Sequence, residues 1–149
     1  PFNAFMILTG IETLPLRMQK HCENAKAVAE FLSTHPAVAS VNYAGLETDR
    51  YYRLARKYAP KGAGAVFTFS LKGGYDAGVS LVSNLKLFSH LANVGDTRSL
   101  VIHPASTTHS QLDDAAKVKS GAAPDVVRLS IGIEDKEDLI ADLEQALTA

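Results

Sequence analysis

Between Leu14 and Leu32 the apolar residues Met18, Cys22, Ala25, Ala29 and Leu32 recur every third or fourth position, while Arg17, Lys20, Glu23, Lys26 and Glu30 fall on other faces. That period predicts a long amphipathic helix with one buried stripe. Pro15 is tolerated in a first turn, so the helix begins or kinks there, with Ala4 to Thr9 as an earlier helical piece and Gly10 as a weak point. His35-Pro36 closes it, because the residue before proline is pushed out of the helical region.

Downstream the period shortens to two. Ala37 to Tyr43 reads as a strand, and in Ala65 to Leu71 the residues Ala65, Phe67, Phe69 and Leu71 alternate with Val66, Thr68 and Ser70. Asp49 to Tyr58 is expected to be a short helix capped by Thr48 or Asp49, and Gly73-Gly74 a turn before a helix capped by Asp76 and running to about Lys86. Leu87 to Leu91 and Ser99 to His103 are two further short strands. Thr107 or Ser110 caps a brief helix near Leu112 to Val118, and Ser120 to Pro124 is a loop. In Val126 to Gly132, Val127, Leu129 and Ile131 share one face and Val126, Arg128 and Ser130 the other. Glu134-Asp135 then open a helix whose stripe is Leu139, Ile140, Leu143, Ala146 and Leu147.

The fold class expected is α/β (α+β), a small mixed and mostly antiparallel sheet flanked by helices, as one domain over residues 1–149. The mixed sheet rests on the link between Leu87–Leu91 and Ser99–His103, which is too short for an ordinary parallel crossover. Neither repeats nor low-complexity segments occur.

Composition narrows the function. Fifteen basic against sixteen acidic side chains, with no basic stripe, give no reason to expect nucleic acid as a partner. No uncharged stretch approaches the ~20 apolar residues of a membrane span. The single cysteine, Cys22, sits at a core spacing and fits a reducing compartment, and the opening residues do not read as a secretory signal, so a cytoplasmic location is expected.

Arg128 carries the most chemical information. It is a lone guanidinium among alternating apolar residues, and its planar fork matches a carboxylate with two parallel hydrogen bonds. In a cleft such a charge needs an anion, and an amino-acid carboxylate leads the candidates. The same residues also fit a surface arginine on an edge strand. The bend Asn93-Val94-Gly95-Asp96-Thr97 offers backbone N–H groups and an amide to an anion, although composition alone favours an ordinary Gly-Asp turn. His103 and His109 lack a third ligand at metal spacing, so no metal is expected. Ser106, His109 and Asp113 lack the elbow signature of a hydrolase.

Three stretches, in order, resemble one family. Ala4-Phe5 through Gly10-Ile11-Glu12-Thr13-Leu14-Pro15-Leu16-Arg17-Met18 to His21-Cys22-Glu23-Asn24-Ala25 is similar to the opening of the carboxy-terminal domain of the pyridoxal-phosphate-dependent enzymes of Cys/Met metabolism. Asn93 to His109 is similar to that family's second hallmark, and Val127-Arg128-Leu129-Ser130-Ile131-Gly132-Ile133-Glu134-Asp135 resembles its third. The Asn-Val-Gly-Asp bend and the Thr-Thr-His ending look most like the O-acetylhomoserine sulfhydrylase (homocysteine synthase) branch.

The resemblance implies the small carboxy-terminal domain of a fold-type I pyridoxal-phosphate enzyme, in which Arg128 binds the substrate α-carboxylate, Asn93 and Val94 add contacts, and Thr108 lies near the site. It also implies that the Schiff-base lysine, the aspartate on the pyridine nitrogen and the phosphate cradle belong to a larger preceding domain. This chain would then hold no catalytic and no cofactor-binding residue, and Lys72 and Lys86 are poor candidates for the lysine. The implied partners are an amino-acid substrate, that large domain and further copies of the enzyme, usually as a homotetramer. A cystathionine γ-synthase, cystathionine γ-lyase or methionine γ-lyase relative, and a stand-alone amino-acid-binding module, are the alternatives.

Overall fold

The computed structural model describes residues 1–149. Its elements are α1 (Phe2–Glu12), α2 (Leu14–Thr34), β1 (Val38–Asn42), α3 (Tyr52–Tyr58), β2 (Val66–Leu71), α4 (Gly74–Asn84), β3 (Ser89–His90), β4 (Leu100–Ile102), a 3₁₀ turn (Pro104–Ser106), α5 (Asp114–Lys119), β5 (Val126–Ser130) and α6 (Lys136–Leu147). The five strands form one sheet in the order β1-β2-β5-β4-β3, so the strand carrying Arg128 is central rather than an edge.

Alternation decides which face is buried. Phe67, Phe69 and Leu71 of β2, Val101 of β4 and Val127, Leu129 and Ile131 at β5 form the inner face. It packs against Ala25, Val28, Ala29 and Leu32 of α2, Leu81 and Val82 of α4, and Leu139, Leu143 and Ala146 of α6. Each Val, Leu, Ile or Phe among them, fully removed from water, stabilises the fold by roughly 1.5–3 kcal/mol, and each alanine by less. The architecture is therefore two-layered. Arg128 shares the opposite face with Thr68, its partner on β2, and with Ile102, its partner on β4.

The antiparallel pairings β1·β2, β2·β5 and β4·β5 agree with the expected sheet, but the premise behind it needs correction: β3 and β4 pair in parallel. The usual crossover length assumes strands of ordinary length with a helix between them. Here only the two residues of β3 must be retraced, a distance of roughly 7 Å. The short loop manages that with Gly95 at φ +83.

Several caps also differ from expectation. Asp113, not Thr107 or Ser110, caps α5, accepting from the Ala116 N–H at 2.8 Å. Helix α4 starts at Gly74 after Gly73 and leaves Asp76 in its first turn. Helix α3 starts at Tyr52 because the Asp49 side chain accepts from the Tyr51 N–H at 2.7 Å, forming a turn that delays the helix. Helix α1 runs through Gly10 and breaks at Thr13 instead. His35 is extended and ends α2 as expected, and Asp135 caps α6 through the Glu137 N–H. The loop at Ser120–Pro124 is tied down, with Ala122 buried and the Pro124 carbonyl accepting from His103 Nε2 at 2.7 Å.

The stripe of α2 holds as expected at Ala25, Ala29 and Leu32 and shifts only in the helix's first half. Met18 is 39% exposed and Cys22 half-buried, whereas His21 and Asn24 are buried. At the far edge of the core, the Tyr43 hydroxyl donates to the Gly64 carbonyl at 2.9 Å, and burial, reinforced by the neighbouring Cys22 thiol, pushes its pKa up to about 12. An unfolded tyrosine releases its proton near pH 10, so above that value the unfolded state binds fewer protons than the folded one. Stability is expected to hold below about pH 10 and to fall as pH rises through about 12. Urea midpoints at about pH 9 and about pH 11.5 check this, and Tyr43→Phe should flatten the difference.

Candidate functional site

Arg128 sits at the middle of the central strand, on the face that α2, α4 and α6 leave uncovered. It is half-buried, and its guanidinium takes part in no side-chain hydrogen bond and no ion pair within the chain. A partly desolvated cation with five free donors is suited to an anion supplied from outside.

The segments around it lie at opposite ends of the same strand. Because β4 runs antiparallel to β5, Leu100 faces Ser130 and Ile102 faces Arg128. The bend before β4 therefore lies beyond the Ser130 end, and the Thr107–Thr108 turn after it lies toward the Arg128 end. Val94, Gly95 and Asp96 line a cavity of ≈ 260 Å³ at the Ser130 end of the strand, with Met18, His21, Val66, Ser130 and Ile131, and Arg128 does not line it. Ser130 is two residues from Arg128 on the same face, so Val94 and the arginine's strand are brought together. Asn93 and Thr108 are exposed and line no cavity with Arg128; Thr108 Oγ1 instead meets His109 Nδ1 at 2.9 Å.

The bend holds its own shape. Asn93 Oδ1 accepts from the Val94 N–H at 2.8 Å, and the Asn93 amide is directed at the Asp96 carboxylate. Asp96 Oδ1 accepts from the Arg98 N–H at 3.0 Å, and this bond, with the Arg98 side chain, holds the Asp96 carboxyl below the usual carboxylate range.

Other chemistry weighed from the sequence is absorbed by the fold. His103 is buried, with Nδ1 on Ser106 Oγ at 2.9 Å and Nε2 on the Pro124 carbonyl. Ser106 thus partners His103 rather than His109, and Asp113 is occupied as a helix cap.

The sequence reading missed a polar clamp at the end of β5. His21 Nδ1 donates to the Ile131 carbonyl at 2.6 Å, and Asn24 Nδ2 donates to the carbonyls of Gly132 at 3.1 Å and Glu134 at 2.7 Å. Glu134 in turn accepts from the main chain and hydroxyl of the fully buried Ser99. The available signal was two polar residues, His21 and Asn24, three apart on the helix face that also carries Ala25 and Val28.

A family model, Cys/Met metabolism PLP-dependent enzyme, matches residues 1–148. The chain belongs to that family. Among relatives in the Cys/Met metabolism family, the O-acetyl-L-homoserine sulfhydrylase of Leptospira meyeri is 52% identical over 148 residues, covering 99% of this chain and 34% of that protein. The L-methionine gamma-lyase of Fusobacterium nucleatum subsp. polymorphum is 47% identical over 147 residues, covering 99% of this chain and 37% of that protein. A crystal structure from Campylobacter jejuni, described as an O-acetylhomoserine (thiol)-lyase with N'-pyridoxyl-lysine-5'-monophosphate, superposes with a TM-score of 0.91 at 44% identity. It covers 100% of this chain and 35% of that chain. The mixed sheet with its helices is thus the fold of this part of the family, and the chain spans about a third of the length of the relatives it matches.

Family members depend on pyridoxal phosphate. The residues present here do not by themselves fit that cofactor. No lysine is buried, Lys72 Nζ is spent on the Pro36 carbonyl at 2.6 Å, and no cavity is lined by both a lysine and an aspartate. No helix is long and apolar enough to cross a membrane.

Proposed function

We propose that this chain is the substrate-carboxylate-binding, carboxy-terminal domain of an O-acetylhomoserine sulfhydrylase, a transferase that makes homocysteine for methionine biosynthesis. In the reaction sulfide forms a bond to the γ carbon of O-acetylhomoserine as acetate leaves with the electrons of the C–O bond. Pyridoxal phosphate, when bound by the rest of the enzyme, supplies the electron sink. Arg128 holds the α-carboxylate in a forked pair, the Asn93 amide and the Val94 main chain contact it from the bend, and Thr108 borders the substrate. Fixing the carboxylate fixes how the substrate lies against the reacting centre, which is a matter of orientation rather than of bond making.

The observation that carries this reading is the unpaired Arg128 guanidinium on the central strand, on the face opposite the helical core. The identity to sulfhydrylases supports the branch. The apolar exposure of α1, with Phe2 72%, Phe5 62% and Ile7 63% accessible, supports packing against a large domain and against neighbouring subunits in a homotetramer. The free Cys22 thiol supports a cytoplasmic location.

The test is product analysis with O-acetylhomoserine and sulfide. The full-length parent is expected to release homocysteine and acetate in equal amounts, and the 149-residue chain none. A parent that ignores sulfide and instead cleaves methionine to methanethiol is a γ-lyase, and the sulfhydrylase reading falls.

A further inference from the structure

Ser99 joins the bend to β4, and its neighbours across the sheet belong to the end of β5. Its main-chain N–H donates to Glu134 Oε1 at 2.6 Å, its hydroxyl donates to Glu134 Oε2 at 2.8 Å, and the same hydroxyl oxygen accepts from the Gly132 N–H at 2.8 Å. The Ile133 N–H donates to the Thr97 carbonyl at 2.9 Å. Both oxygens of one half-buried carboxylate are therefore spent on a single residue of the bend's exit, with no cation paired to them.

Helix capping does not explain this use of Glu134, since Asp135 caps α6. The main chain that carries Glu134 is itself held from α2 by His21 on the Ile131 carbonyl and by Asn24 on the carbonyls of Gly132 and Glu134. A continuous set of hydrogen bonds thus runs from the core helix, through residues 131–134, to Ser99 and the bend.

We infer that Glu134 is a positioning residue for carboxylate binding, acting through Ser99 to hold the Asn93–Val94 bend in register with Arg128. The inference rests on the proposed reading of Arg128 and the bend as one site. Ser130 and Arg128 are separated by roughly 7 Å of strand. A carboxylate contacted by both the arginine and the bend tolerates little drift between them, and an error of about 1 Å costs such a site much of its grip. The two charge-assisted bonds to Ser99 are short and directional, so they fix the bend's exit where an apolar contact would let it slide.

The test uses the intact holoenzyme with two competitive inhibitors that differ only in the group Arg128 would hold, L-norleucine and its carboxamide, L-norleucinamide. Glu134→Ala is expected to weaken norleucine about tenfold while changing norleucinamide less than about twofold, with KM for O-acetylhomoserine rising and kcat little changed. Glu134→Gln keeps an acceptor for the Ser99 N–H and should restore norleucine binding to within about threefold of the parent. Ser99→Ala should reproduce the selective loss, and combining it with Glu134→Ala should add little. If the alanine variant fails to fold, Glu134→Gln and Ser99→Ala carry the comparison. Equal losses for both inhibitors, or none, overturn the inference. Arg128→Ala separates the two levels: if it abolishes the preference for norleucine and the Glu134 variants do not, only the positioning role fails. If Arg128→Ala leaves the preference intact, the carboxylate-site reading fails and takes the positioning role with it.

Discussion

Replacing Arg128 with alanine in the intact enzyme is expected to raise KM for O-acetylhomoserine by about a hundredfold or more, with a smaller fall in kcat. Truncating one partner of a desolvated, hydrogen-bonded charge pair costs roughly 2–5 kcal/mol, which spans factors from tens to thousands. In the proposed role the loss would fall on binding, because the carboxylate is not the group that reacts and the guanidinium would hold ground state and transition state alike. Arg128→Lys should recover only part of it, since an ammonium restores the charge without the fork. Stability should change little or improve, because the guanidinium has no intrachain partner to lose. Steady-state kinetics at saturating sulfide measure the effect, and an unchanged KM would falsify the assignment of Arg128 to the carboxylate.

The parts of this fold legible in the sequence are those fixed by period. The faces of β2 and β5 follow from Phe67, Phe69 and Leu71 and from Val127, Leu129 and Ile131, and every one of these is buried. The end of α2 follows from His35-Pro36, because the constraint is steric and local. What stayed hidden depends on distant partners. Cys22 has a core spacing, yet the helix turns so that Asn24 and His21 face inward, because carbonyls more than a hundred residues away need donors there. Glu134 reads as a helix opener, and only the sheet shows that its carboxylate belongs to Ser99. The parallel β3·β4 pairing escaped a rule about crossover length because β3 is two residues long.

The candidate site divides in the same way. Arg128 stands out because alternation places a charge among mostly apolar strand residues, and the structure adds that the strand is central and that Arg128 lies on the face opposite the α2, α4 and α6 core. Val94 reaches the cavity beside Ser130, whereas Asn93 and Thr108 remain proposals from resemblance, with no hydrogen bond to Arg128.

Gly132→Ala is expected to be the most damaging small change in the chain. A Cβ there would come within 2.6 Å of the Arg98 carbonyl carbon and closer still to the Thr97 oxygen and the Glu134 carboxylate. Two of these neighbours are backbone, and the backbone is held by the Ile133 N–H on Thr97 and by Ser99 on Glu134, so relief requires moving the bend's exit away from β5. Overpacking of a well-filled site costs about 1–3 kcal/mol, and breaking the buried Ser99–Gly132 bond adds about 1–3 kcal/mol more. The expected loss is therefore about 2–6 kcal/mol, read as a lower urea midpoint with an unchanged slope. Gly10→Ala is the matched control: it lies in α1 with nothing within 4 Å, so the same methyl group should stabilise the helix by roughly 1 kcal/mol. Equal effects at the two glycines would mean that the bend and the arginine strand are not locked together, and the geometry that brings Val94 beside Ser130 would then be soft rather than built.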